Sequence, residues 1–436
     1  MVRQDEDKLG PWMTMALAVG SIIGAGIFML PVALAPLGPN AVAGWLISGI
    51  GALCIAFALS RLITSDGEGL QAYVERSFGP LAGFVVAWSF CASQWAANAA
   101  LAIAAASAVA RLVPGLAEPG SIALVAIGFI AFLAFVNALG ARAMGRLAVL
   151  TTPIKLVPLL AVIVLVSVTG AQGQALAPLA PIPMTINTIA TAAALTLFAL
   201  TGFENATAPV GKVRDPERNI PRALILGTAF VALLYLLAST SVLLLLPSAA
   251  AEASTAPFAD ALASRWGESA AILAALGMAV SAFGGLNNGI MVAGELGYSM
   301  AVRRDLPAVL AATRGRGTPI AAQLMAAAVA SLLVLSNASK TTAGLFSFVI
   351  LLSTSSVLLV YFIGGLAALK QRPAPLAAAI IVVGLLFSLF AFYGSGLDAN
   401  LWGLALLAFG LVVRFGVRRA SGSSPAAAGA PAAPRE

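Results

Sequence analysis

Gly20-Ser21-Ile22-Ile23-Gly24-Ala25-Gly26-Ile27-Phe28-Met29-Leu30-Pro31 decides the fold. The stretch lies in an apolar run near 12–35, long enough to cross a bilayer, which takes about 20 apolar residues. A helix in lipid must satisfy its own backbone. Three glycines within seven residues, followed by a proline, therefore predict a helix that opens near mid-membrane. Close packing on a neighbouring helix through small residues is the competing reading.

Eleven further apolar runs follow, near 41–63, 80–110, 121–139, 148–169, 187–210, 221–246, 267–298, 318–336, 343–369, 375–393 and 398–417. The chain has 436 residues, of which 60% are hydrophobic and 9% charged, with mean hydropathy +0.99. Soluble chains carry about a quarter charged residues, so lipid is the expected solvent for most of this surface. With a cytoplasmic N-terminus, the twelve runs place 20 Lys and Arg residues on the inner side. Only Arg111, Arg265 and Lys340 fall outside, and Lys155 lies within a run. The positive-inside rule accounts for the net charge of +7 and removes the case for nucleic acid as a partner. Asp5, Glu6 and Asp7 stand where a signal peptide would be basic, so the first run is expected to stay in the mature chain. Residues 1–10 read as a cytoplasmic segment, and 420–436, rich in Ala, Pro, Ser and Gly, as a disordered cytoplasmic tail.

A second interruption sits five runs after the first. Ala199-Leu200-Thr201-Gly202-Phe203-Glu204-Asn205 inserts polar residues and a carboxylate into apolar sequence, and Pro209 follows. Interrupted helices in matching halves are the signature of a carrier built from two inverted repeats, here about 11–169 and 187–370, with two more spans at about 375–417. An opened helix exposes N–H groups that suit a carboxylate and C=O groups that suit an ammonium. A zwitterion can be held there without charged side chains.

Few side chains offer other chemistry. The absence of histidine excludes the commonest metal ligand and proton shuttle, and neither a cofactor nor a metal is expected. Cys54 and Cys91 fall in apolar runs, which argues against a disulfide. No Gly-rich phosphate loop appears. Lys155, between Pro153 and Pro158, reads either as a lysine snorkelling to the headgroups or as an ammonium tying the fifth span to the opened part of the first and to the eighth. Glu204 reads as a dipole-capping carboxylate, as a gate or proton site, or as both. Asn98, Asn287 and Asn288 default to interhelical hydrogen bonds. Ser353-Thr354-Ser355-Ser356 reads as path lining or as hydroxyls bonded to their own helix. Asn219 is expected to cap the seventh span.

Gly24-Ala25-Gly26-Ile27-Phe28, and Gly202-Phe203-Glu204 with Asp215-Pro216-Glu217-Arg218-Asn219-Ile220-Pro221, resemble the signatures of the amino acid–polyamine–organocation superfamily, over about Gly10 to Arg419. Within it the chain is most similar to the arginine/agmatine antiporter group. The resemblance implies an all-α membrane protein of twelve spans with a five-plus-five inverted repeat of the leucine-transporter type, spans 1 and 6 unwound, in the cell inner membrane with both termini cytoplasmic. It implies substrate at Ile22, Gly24, Ala25 and Gly26 on span 1, at Phe198 and Ala199 on span 6, and at Asn98, Leu101 and Leu286 on spans 3 and 8. Glu204 would be the acidic gate. Phe198 and Leu286 stand where the arginine antiporters carry tryptophan, and Ala25 and Ala199 where they carry serine. Without those tryptophans, stacking on a guanidinium weakens, and the pocket suits a neutral or apolar amino acid. Lys155 resembles the fifth-span lysine of sodium-independent branches.

The expectation is thus a sodium-independent amino acid permease or antiporter working by alternating access. An amino acid or amine is its cargo, protons are a second candidate partner, and a homodimer is left open. An arginine/agmatine-type amine antiporter is the alternative. A membrane enzyme would need clustered nucleophiles, acids or metal ligands at the interface, which the sequence does not offer, and a channel would need a ring of polar groups.

Overall fold

The computed structural model describes residues 10–24, 26–62, 70–138, 142–204, 213–314, 318–336 and 340–422, with the side chains of 17, 142–153, 421 and 422 excepted. Helix is the only regular structure among the described residues, which hold a single isolated bridge, Arg314 to Thr318, and no strand. Sixteen α-helices occur in chain order: α1 (Pro11–Ile22), α2 (Gly26–Leu34), α3 (Asn40–Ser60), α4 (Leu70–Phe78), α5 (Pro80–Leu112), α6 (Pro119–Ala138), α7 (Arg142–Ala171), α8 (Ile186–Leu200), α9 (Pro216–Leu245), α10 (Ser248–Ala253), α11 (Pro257–Trp266), α12 (Glu268–Val302), α13 (Ile320–Leu335), α14 (Thr342–Lys370), α15 (Pro375–Gly394) and α16 (Gly396–Gly422).

Among the described residues, nine helices are long and apolar enough to cross a membrane, and α1 with α2 makes a tenth bent by 45° at its break. The chain is a multi-pass membrane protein. The sixth and ninth apolar runs appear as α8 and α13, of 15 and 16 residues, short of a full crossing at about 1.5 Å per residue. The expected Ala25, the stretch from Asn205 to Lys212 and the tail from 423 onward lie outside the described residues.

Local chemistry sets the ends. Thr185 caps α8 by a capping box with Thr188. The start of α9 differs from expectation. The helix begins at Pro216, a favoured first-turn residue, behind Asp215 in the left-handed region at φ 46°. Asn219 lies inside the first turn, and its Nδ2 donates to the Arg214 carbonyl at 2.5 Å. It ties the loop down rather than capping the helix.

Two packing groups emerge. α3 lies against α8 and α9, and α1 against α9. Separately, α5 packs on α12, α14 and α6, and α13 packs on α12 and α6. Alanine and glycine dominate the contacts of α5, which is buried on most of its faces. Small side chains let apolar helices approach closely where the hydrophobic effect between them is weak.

α16 is fastened to the second group along one stripe. Trp88 Nε1 donates to the Leu406 carbonyl at 2.8 Å. Arg414 Nε meets Asp305 at 2.7 Å, its Nη2 donates to the Pro80 carbonyl at 3.2 Å, and its guanidinium lies 5.0 Å from the Phe84 ring centre. Arg418 meets the same carboxylate at 2.9 Å. These bonds place the start of α5 and the end of α12 at one end of the molecule, the end rich in arginine.

Candidate functional site

The break between α1 and α2 leaves carbonyls without helical partners, and side chains from two other helices meet them. Gly24 N donates back to the Ile22 carbonyl at 2.7 Å, a tight turn. Tyr235 of α9, fully buried and edge-on to Trp45, donates to the same carbonyl at 3.4 Å. Lys155 of α7 donates from Nζ to the Ile23 carbonyl at 3.0 Å and is only 6% exposed. Its ammonium thus turns into the protein, toward the break in the first span. No hydrogen bond joins it to α12.

The end of α8 comes to the same place. The helix stops at Leu200, and Gly202 adopts φ +108°, a conformation open to glycine alone without strain. A Cβ there would lie 2.7 Å from the Ser21 carbonyl oxygen, so the end of α8 meets the last turn of α1. Ser21 Oγ donates to the Gly202 carbonyl at 3.1 Å. The Glu204 carboxylate folds back to accept from Gly202 N at 3.1 Å and from the Tyr361 hydroxyl of α14 at 3.0 Å. Phe203 stacks on the Tyr361 ring at 5.3 Å.

A cavity of about 640 Å³ opens onto both breaks. It runs from Met13 and Ala16, exposed at the Pro11 end of α1, to Gly24, Gly26 and the Phe198 ring. Of the residues expected at the site, Ile22, Gly24, Gly26, Leu101, Lys155, Phe198, Ala199 and Glu204 line it together. Asn98 and Leu286 do not. On α5 the lining face is Gln94, Ala97 and Leu101, at three- and four-residue steps. Asn98 is turned away onto Gly289 of α12, with neither amide atom hydrogen-bonded. Leu286 is fully buried among its neighbours, while Gly284, Gly285 and Asn288 present the lining face of α12. Asn287 accepts from Asn137 of α6 at 2.9 Å, an interhelical bond. Sequence reasoning passed over Gln94, Tyr235 and Tyr361. Gln94 was legible as the residue one lining step before Ala97, but only once the phase of α5 was known.

The far end is shut. Phe28 of α2 and Phe258 of α11 pack edge to face at 5.3 Å, both buried. Ser248 Oγ at the start of α10 donates to the Ala35 carbonyl. Arg111 holds α11 through Asp260 at 2.7 Å and α12 through Glu268 at 2.8 Å.

The profile of the amino acid permease family matches residues 9–397. The chain belongs to that family. Relatives within it include the putrescine transporter PotE of Haemophilus influenzae, 27% identical over 91% of this chain and 94% of its own length. The PotE protein of Escherichia coli K12 is 26% identical over 92% and 94%. A cadaverine/lysine antiporter of Escherichia coli K12 is 29% identical over 77% and 76%. The permease family match covers both helix breaks, the cavity and every residue described above except those on α16 beyond 397.

Proposed function

We propose that the chain is a sodium-independent secondary transporter of an amino acid, working by alternating access from the cavity at the two breaks. The observation that carries the reading is the contact of Lys155 with the Ile23 carbonyl at 3.0 Å inside that cavity. An ammonium there stands where a coupling cation would otherwise be drawn to an open carbonyl end. The substrate's carboxylate and ammonium are held by main-chain groups of the breaks, as expected for a zwitterion. The group α1, α2, α3, α8 and α9 rocks against α5, α6, α12 and α13, and both packing groups support that division. The proposal includes twelve spans in two inverted repeats, an inner-membrane location and cytoplasmic termini. The cavity then opens inward, and Phe28 on Phe258 closes the outward side.

A second reading, an amine or cationic amino acid antiporter, is favoured by the names of the relatives. Against it stands the charge of the cavity. Among the described lining residues the only carboxylate, Glu204, is engaged by Gly202 and Tyr361, and Lys155 lines the same space. A dication would enter beside an ammonium with one occupied counter-charge.

Counterflow in proteoliposomes tests both readings, using labelled alanine, leucine, glutamine, lysine and putrescine with and without sodium. Sodium-independent exchange of neutral amino acids supports the first. Exchange limited to lysine and putrescine supports the second, and no exchange of any of them overturns both.

A further inference from the structure

Seven polar side chains line the cavity, and five already have partners within the protein. Lys155 is on the Ile23 carbonyl, Glu204 is under Tyr361, Ser21 is on Gly202, Thr201 is on the Phe198 carbonyl, and Ser93 is paired with Ser353. The remaining two are Gln94 of α5 and Asn288 of α12. Both are half-buried, and among the described residues neither amide has a hydrogen-bond partner.

The two amides sit at one level. Gln94 is fourteen residues along α5 from Pro80, and Asn288 is fourteen residues before the end of α12 at Val302. Arg414 ties Pro80 and Asp305 together, so these helix ends are neighbours. At about 1.5 Å per residue each amide lies roughly 21 Å into the molecule. They stand on the α5–α12 wall of the cavity, across from the breaks of α1, α2 and α8. Gly284 and Gly285 line the cavity beside Asn288, while Gly289 is backed by the Asn98 amide.

The breaks supply groups for the part common to all amino acids. What faces α5 and α12 is therefore the substrate's side chain. An amide offers one acceptor and two donors, without charge. Two amides with no protein partner favour a side chain that both donates and accepts, and they provide no counter-charge for a second ammonium. An apolar side chain would strip their water and return no hydrogen bond, a loss that discriminates strongly between substrates.

We propose that Gln94 and Asn288 form a specificity subsite for a neutral, hydrogen-bonding side chain, a carboxamide or a hydroxyl. The proposal rests on the transporter reading above and names its substrate class.

The test uses the full chain in proteoliposomes, with L-glutamine, L-serine, L-leucine and putrescine in competition counterflow. The readout is a preference ratio within one preparation, so it is independent of how much protein is active. The wild type should prefer glutamine and serine to leucine. Gln94→Leu and Asn288→Leu should each lower the glutamine-to-leucine ratio at least about ten-fold. Gln94→Glu, similar in shape and negative, should raise the putrescine-to-leucine ratio. If both leucine variants keep the wild-type ratio, the amides merely wet the cavity and the subsite is wrong while the transporter reading stands. Wild-type vesicles that exchange none of the four solutes overturn the transporter reading and the subsite with it.

Discussion

At the scale of single residues, the proposed site turns on Lys155, Gly26 and Gly202. Lys155→Ala removes the ammonium from the Ile23 carbonyl and should abolish or uncouple counterflow while leaving expression intact. Undiminished exchange across pH 5 to 9, a window of about four units around the usual histidine range, would show that the lysine has no part in transport. At Gly26 an added Cβ would fall 2.6 Å from the Phe198 ring. Gly26→Leu should therefore fill the cavity and eliminate substrate binding, measured by a ligand-induced rise in melting temperature. Gly202→Ala meets a positive φ and the Ser21 carbonyl at once, and should lower stability by more than the ~1 kcal/mol a helix glycine exchange involves. The sequence identified these positions because glycine and an ionisable group are conspicuous in an apolar run. It misplaced Asn98 and Leu286 because one or two steps along a helix turn a side chain through a hundred degrees or more, and phase is set by packing on α12 and α14. In all-apolar runs neither face is marked by polarity.

At the scale of elements, the apolar runs of about 20 residues announced their helices, since in lipid only a helix satisfies every peptide group within a single run. The short helices α4, α10 and α11 were not anticipated. They lie between the runs, where composition is mixed and length is below what pattern alone can mark. α11 matters most of these. It carries Phe258 onto Phe28 and is tied through Asp260 to Arg111, which also holds Glu268 of α12. Phe258→Ala should destabilise the fold by about 3–5 kcal/mol where the neighbours cannot close the gap. A melting curve in detergent measures the effect, and an unshifted midpoint would mean that the ring packs on nothing that matters.

For the whole molecule, the distribution of Lys and Arg was readable because membrane insertion acts on loop charge and not on contacts. The packing of α16 was not readable, since its anchors, Leu406, Gly410 and Arg414, answer residues more than 100 positions away. Asp305→Ala would leave Arg414, only 8% exposed, buried without its carboxylate. Removing one partner of a buried pair costs about 3–5 kcal/mol. The melting temperature should fall accordingly, and Arg418→Ala, more exposed, should cost much less.

The break at Ile22 to Gly24 has one more consequence. Mutation can delete a hydroxyl or a carboxylate, but every residue brings the same peptide oxygen to its position. On the proposed reading, the grip on the shared head of the cargo at Ile22 to Gly24 needs no particular side chain, whereas the opposite wall is written in replaceable letters. On that reading, descendants of such a chain change diet through that wall, one codon at a time.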